Sequence, residues 1–166
     1  MLNNNEKYNR SAYGRFMYNF TVKAALFLNK HLWLYWLLAL TWGIIMTLIG
    51  YIVAFVLIML DILPIKYNQV SYFELGKEPW GGVSLGMIFI RDTNERDTSI
   101  EPHEYGHTFQ NAVLGPLFPF LVAIPSAIRY WYQVIRENKG LKNKPYDCIW
   151  FEGSATDIGE LIEKGE

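Results

Sequence analysis

Leu32 to Leu60 reads LWLYWLLALTWGIIMTLIGYIVAFVLIML, 29 residues without a formal charge. A membrane-spanning helix needs about 20 such residues. A chain of 166 residues has too little mass to wrap a segment this long inside a soluble core. The stretch therefore predicts one long transmembrane helix, too short for two spans with a turn and long enough to tilt. Trp33, Tyr35, Trp36 and Trp42 crowd its first half, as an interfacial aromatic belt does. The run is too long and starts too late for a secretory signal peptide.

Residues 1–31, before the run, carry Lys7, Arg10, Arg15, Lys23 and Lys30 against Glu6 alone. Phe16, Phe20, Ala24 and Phe27 recur at helical spacing, so residues 11–30 read as a basic amphipathic helix lying along a membrane surface. The basic excess predicts a cytoplasmic N-terminus, with a lipid bilayer as the first partner. A second basic cluster, Arg129, Arg136, Lys139, Lys142 and Lys144, weakens any inference about the far side. The whole chain carries 15 Lys plus Arg against 16 Asp plus Glu, which excludes the concentrated positive field of a nucleic-acid binder. One cysteine, Cys148, excludes a disulfide framework within the chain.

Residues 61–166 read as one small domain. Tyr67 to Glu74 and Val83 to Ile90 are β-rich, with Gly76, Pro79, Gly81 and Gly82 between them, which predicts a loose β-hairpin over 67–90. Thr98 to Glu101 has the form of a capping box, and Pro102 falls in a first turn, so a helix is expected over 99–114. Residues 115–128 are apolar but hold Pro116, Pro119 and Pro125, which predicts a re-entrant or interfacial segment. A helix with aromatic and basic faces follows over 127–138, and a glutamate-bearing helix over 148–163 closes the chain. The fold class expected is thus a mainly α membrane protein with a small β-hairpin.

The chemical signal is His103-Glu104-Tyr105-Gly106-His107. Residues four apart on a helix point within about 40° of each other, so both imidazoles can bind one metal. The offset glutamate can then sit beside a bound water. The chain has three histidines, and two of them lie in this motif; chance matches are expected at about 0.004 per such chain. Imidazole and carboxylate donors with one open position suit Zn2+. His31, at the start of the apolar run, is poorly placed to be the third ligand. That ligand is then a carboxylate or Cys148, and the best carboxylate is Glu152, set between Phe151 and Gly153 on the closing helix.

An H-E-x-x-H followed at a distance by a glutamate on a separate helix resembles the gluzincin metallopeptidases. The apolar run makes the chain similar to their integral-membrane groups, the prenyl-protein, heat-shock and β-lactam-sensor proteases. The chain also resembles small uncharacterised bacterial membrane proteins, through Gly81-Gly82-Val83-Ser84-Leu85-Gly86, the HEYGH motif, Leu114-Gly115-Pro116-Leu117, Pro125-Ser126, and Glu152 with Ala155 and Gly159. The resemblance covers residues 32–160. It implies a zinc site of His103, His107 and Glu152 and a location in the bacterial cytoplasmic membrane. Many gluzincins carry an acidic residue four positions after the ligand glutamate to orient a zinc histidine. Here that position is Thr156, followed by Asp157, which leaves the role to a hydroxyl or to a displaced carboxylate.

The function expected is zinc-dependent hydrolysis of a peptide or protein substrate, with Glu104 as general base. Tyr105, Tyr130, Tyr132, Tyr146 and Arg129 are the candidates for stabilising the oxyanion. Val83, Ser84, Leu85 and Gly86 are the expected substrate-binding edge, because an unpaired strand can hold an extended peptide. Gly82-Val83-Ser84-Leu85-Gly86 also has the G-x-S-x-G form, but Ser84 lies within a β run and no histidine is left to serve as its base. The alternative is a non-catalytic, zinc-stabilised membrane assembly or immunity protein. A second copy of the chain is the other partner class left open.

Overall fold

The computed structural model describes residues 11–77, 80–93 and 98–165. Lys7 and Arg10 of the basic N-terminal cluster lie outside them. The chain is mainly helical with a small sheet. Its helices are α1 (Ala12–Lys30), α2 (Leu32–Leu40), α3 (Ile44–Met59), α4 (Ile100–Leu114), α5 (Ile124–Asn138) and α6 (Trp150–Glu163). Its strands are β1 (Ile65–Tyr67), β2 (Val70–Glu74), β3 (Gly82–Leu85) and β4 (Ile88–Arg91).

The single long helix expected over 32–60 does not form. α2 and α3 meet at 83° across the break at residues 41–43, and among the described residues no single helix is long and apolar enough to cross a membrane. The reason is a polar corner. Asn111 on α4 donates through Nδ2 to the Gly43 carbonyl and to Thr47 Oγ1. The Thr47 hydroxyl in turn donates to the Ala39 carbonyl at 2.8 Å, across the bend. A Cβ on Gly43 would lie 2.6 Å from the Asn111 amide nitrogen, so only glycine lets the chain pass there. The Trp42 indole lies over Gly115, where a Cβ would fall 2.2 Å from it; Gly115 also has φ +55 and ends α4.

A second bend follows. A short 3-10 turn (Gly115–Leu117) and a π-helical turn (Pro119–Ala123) lead into α5, and the arms before and after make 115°. The proline-rich segment is therefore a helical corner, and α5 starts at Ile124, three residues earlier than expected, with Pro125 in its first turn, where no backbone donor is lost.

The expected hairpin is two hairpins. Asn68 takes φ 49 and turns β1 into β2, and Gly86, at φ +71, turns β3 into β4. The order is β1-β2-β4-β3, with β2 and β4 parallel (Ser71 opposite Ile88) and the other pairs antiparallel. β4 is buried on both faces. Ile88 and Ile90 pack with Ala54 and Leu57 of α3, while Phe89 packs with Tyr35, Tyr105 and Phe109. The β3–β4 hairpin is wedged under α3, where a Cβ on Gly50 would fall 2.1 Å from the Leu85 carbonyl oxygen.

α1 is part of the core. Met17, Thr21, Ala25 and Leu28 are buried, and the helix packs on α4 and α6. Its expected apolar stripe, Phe16, Phe20 and Phe27, faces outward. The Tyr18 hydroxyl donates to Asp157 and the Tyr67 hydroxyl to Glu163, which strap α1 and β1 to α6. The capping box does not form: α4 starts from Ser99 without a side-chain cap, and Glu101 turns to Arg91.

Candidate metal centre

α4 and α6 pack backbone to backbone through a seam of small residues. A Cβ on Gly106 would lie 2.0 Å from the Ala155 carbonyl oxygen, and one on Gly159 would lie 1.9 Å from that of Pro102. Each helix contributes positions four apart, and the pairing runs in opposite directions, so the helices are antiparallel. This register sets His107 opposite Glu152 and His103 opposite Thr156. His103 Nε2 lies 3.2 Å and His107 Nε2 lies 3.3 Å from Glu152 Oε2.

One donor atom from each of His103, His107 and Glu152 lies within 4.8 Å of the other two. The rest of each side chain is oriented to suit. His103 Nδ1 is 2.9 Å from Thr156 Oγ1, and His107 Nδ1 is 2.7 Å from Gln110 Oε1. The Gln110 amide nitrogen donates to the Phe151 carbonyl and to Ser154 Oγ, so its oxygen must be the atom facing His107. In the neutral imidazoles an oxygen at each Nδ1 accepts the ring proton there, so that the Nε2 lone pairs would face a cation placed between them and Glu152. Glu152 Oε1 is buried and has no hydrogen-bond partner, which marks a carboxylate organised for a further ligand. The residues fit a divalent metal with imidazole and carboxylate donors.

The electrostatics follow from burial and proximity. Burial alone would raise the Glu152 carboxyl, but hydrogen bonds and charge from His103 and His107 hold it well below the usual carboxylate range. Burial disfavours a charged His107, yet Glu152 and Glu104 raise its pKa above the ordinary value. Burial lifts the Glu104 carboxyl, against the pull of the two imidazoles. Glu104 Oε2 is buried without a partner. Gly82 makes room for this side chain, since a Cβ there would lie 2.7 Å from Glu104 Cγ.

Of the oxyanion candidates, Tyr130 and Tyr146 line the cleft together with Glu104. The Tyr146 ring is 6.0 Å from the His103 ring, and burial followed by the charge of Glu152 raises its phenol pKa. Tyr105 points the other way. It is fully buried in the core, packs on Phe109 and Tyr67, and donates to Gln69. Its position between the two motif histidines puts it on the opposite helix face. Tyr132 is exposed beneath Arg136, away from the cleft. Arg129 braces the loop that carries Tyr146 by donating to the Pro145 and Tyr146 carbonyls, and it does not reach the cluster.

β3 is one of the two edge strands of the sheet, and Val83, Ser84 and Leu85 line the cleft. Gly86 belongs to the turn and packs on the Thr47 backbone instead. Ser84 Oγ is buried and unpartnered within a strand, with no strand-to-helix elbow around it. Cys148, the alternative third ligand, lies 3.4 Å from Arg129 Nη2 and outside the cluster. Asp157 is engaged by Tyr18, while Thr156 takes the place beside His103. The sequence reading missed Gln110. The available signal was its place three residues after His107, on the same helix face. Comparison with protein families, with curated proteins and with solved structures finds no match for this chain.

Proposed function

We propose that the chain is a membrane-embedded zinc metallopeptidase of the gluzincin type. The observation that carries the reading is the convergence of His103 and His107 Nε2 on Glu152 beside a buried Glu104 carboxylate that has no partner, all at the wall of an open cleft. His103, His107 and Glu152 would hold the zinc ion, which would supply Lewis acidity toward a carbonyl and toward water. Glu104, with its raised pKa, accepts the proton of the attacking water at its carboxylate and later hands it to the leaving amine. The Tyr146 phenol, kept protonated by burial, donates to the oxyanion. β3 holds the peptide extended by backbone hydrogen bonds.

The bilayer is the proposed environment. α2 and α3 expose Trp33, Trp36, Leu37, Ile45, Ile52 and Phe55, among others, far more apolar surface than a soluble monomer leaves in water. The bent pair α2–α3 then sits in the bacterial cytoplasmic membrane, with α1 and its exposed phenylalanines at the interface. A closed structural zinc site needs neither a cleft nor an unpartnered acid beside the metal, and both features favour the enzyme over an assembly or immunity protein.

Metal analysis and hydrolysis of a quenched fluorescent peptide test the reading on three proteins. Wild type should hold zinc and cleave, Glu104→Gln should hold zinc and not cleave, and Glu152→Ala should lose the metal. Zinc lost from Glu104→Gln but kept by Glu152→Ala would reverse the roles. A zinc-loaded wild type inert toward a broad peptide library would leave the structural alternative.

A further inference from the structure

Two cavities meet at the metal cluster and share Trp80, Gly82, Glu104, Tyr130 and Tyr146. They are the two halves of one groove, with Glu104 at the waist. The first, of about 260 Å³, reaches His107 and is walled by Met46, Leu85, Phe118, Val122, Ala123 and Trp131. The second, of about 530 Å³, reaches His103 and is walled by Gln133, Glu137, Asp147, Thr156 and Glu160 together with the apolar Ile100 and Val134. No lysine or arginine lines either half among the described residues. β3 runs along the groove from Gly82 at the waist to Leu85 in the apolar half.

The asymmetry belongs to the construction of the groove. The apolar half is built by the two helical corners: Met46 comes from α3, and Phe118, Val122 and Ala123 from the turns before α5. Phe118 and Val122 are fully buried at its floor, while Val83 and Trp131, 42% and 62% exposed, form an apolar rim. Ser84 Oγ and Glu104 Oε2, both buried and without partners, lie in its wall. Such atoms call for hydrogen-bonding partners from whatever fills the space. An apolar pocket with two orphaned polar atoms beside an edge strand suits an extended peptide that carries a large apolar side chain. The other half mixes polar groups with the apolar side chains of Ile100 and Val134 and is bordered by Glu137, Asp147 and Glu160, of which Glu160 pairs with Lys164; these carboxylates make it the more acidic half, a field that favours cations over anions.

Resting on the peptidase reading above, we propose that the groove binds a peptide that changes from apolar to polar at the scissile bond. Basic residues are favoured over acidic ones on the polar side. The substrate class is thus the boundary of a membrane-inserted segment, where an apolar stretch gives way to a basic flank.

The test separates binding from cleavage. Zinc-loaded Glu104→Gln protein in zwitterionic lipid nanodiscs is titrated against fluorescently labelled peptides, and binding to empty discs is subtracted. The peptides are a Leu/Phe half joined to a Lys half in both chain orders, the same with a Glu half, and an all-polar control. One order of the Leu/Phe–Lys peptide should bind at least about tenfold tighter than the all-polar control, the effect of burying one large apolar side chain. Trp131→Glu, at the exposed rim, should remove that advantage. Glu137→Lys with Glu160→Lys, also at the surface, should turn the preference from Lys toward Glu. Mass spectrometry of products from the wild type should place the cut at the apolar–polar boundary. Equal binding of the all-polar control, or an unchanged preference in both surface variants with their helical spectra intact, would overturn the proposal. Tight, correctly ordered binding without hydrolysis by the wild type would overturn the peptidase reading instead.

Discussion

Each imidazole of the candidate metal cluster is held by a neutral partner, Thr156 for His103 and Gln110 for His107. Gln110 does more than orient a ring. Its amide also ties α4 to the Phe151 carbonyl and Ser154, one residue before Glu152 and two after it. Gln110→Ala should weaken zinc binding by about 10–100-fold, the usual effect of removing a group that orients a ligand. Competition with a chromophoric chelator measures it. Thr156→Ala should act in the same direction through His103, while Thr156→Ser, which keeps the hydroxyl, should bind zinc as the wild type does. The raised pKa of His107 adds a pH dependence. A proton held there competes with the metal, so zinc affinity should fall as pH is lowered through that pKa, and zinc binding near neutral pH should release protons. Calorimetry in buffers of different ionisation enthalpy reads the proton count. An affinity flat across the acid range would place His107 outside the coordination.

At the scale of elements, the site depends on how closely α4 and α6 approach. Gly106 and Gly159 each face a carbonyl oxygen at a distance no Cβ can occupy. Gly106→Ala or Gly159→Ala should force the helices apart, cost about 3 kcal/mol of stability, and lower zinc occupancy although neither residue touches the metal. A lower Tm together with sub-stoichiometric zinc is the expected result. An alanine variant as stable as wild type and fully loaded would show that the seam can open without disturbing the ligands. The α2–α3 corner obeys the same logic. Its bend is stabilised from outside, by Asn111 of α4, so the helix that carries the histidines also shapes the apolar corner that builds half of the groove.

For the molecule as a whole, the proposed membrane environment raises the question of which way the chain would meet a bilayer. α3 has 16 residues, about 24 Å of helix, short of the roughly 30 Å hydrocarbon core. The bent pair therefore suits insertion from one side better than a full crossing. Both basic clusters should then face the same, cytoplasmic side. In a Cys148→Ser background, Lys23→Cys and Lys139→Cys should both resist a membrane-impermeant thiol reagent in intact cells and both react once the membrane is opened. Labelling of one position only would mean that the chain crosses the bilayer between them.

Some of this protein is written in local sequence. Helical periodicity is a short-range property, so His103 and His107, four apart, share a face in any helix, and the helix over 100–114 could be read within a residue of its start. The uncharged run of 32–60 likewise announced apolar surface in quantity. Long-range contacts decided the rest. Nothing within Leu32–Leu60 states that Asn111 will bend it, and the run TWG carries only a weak turn signal. One expected hairpin became two because Asn68 and Gly86 each adopt positive φ, and the parallel pairing of β2 with β4 depends on residues far apart in the chain. Glu152 could be singled out in the sequence as a carboxylate among apolar residues. Its place opposite His107, however, is set by Gly106 and Gly159 meeting carbonyls of the other helix. Tyr105, adjacent to the motif glutamate, faces away, whereas Tyr146, some forty residues on, reaches the cleft. Sequence determined which groups could share a helix face, because that geometry is local. Only the tertiary structure decided which faces meet, because close packing depends on where small residues let two backbones touch.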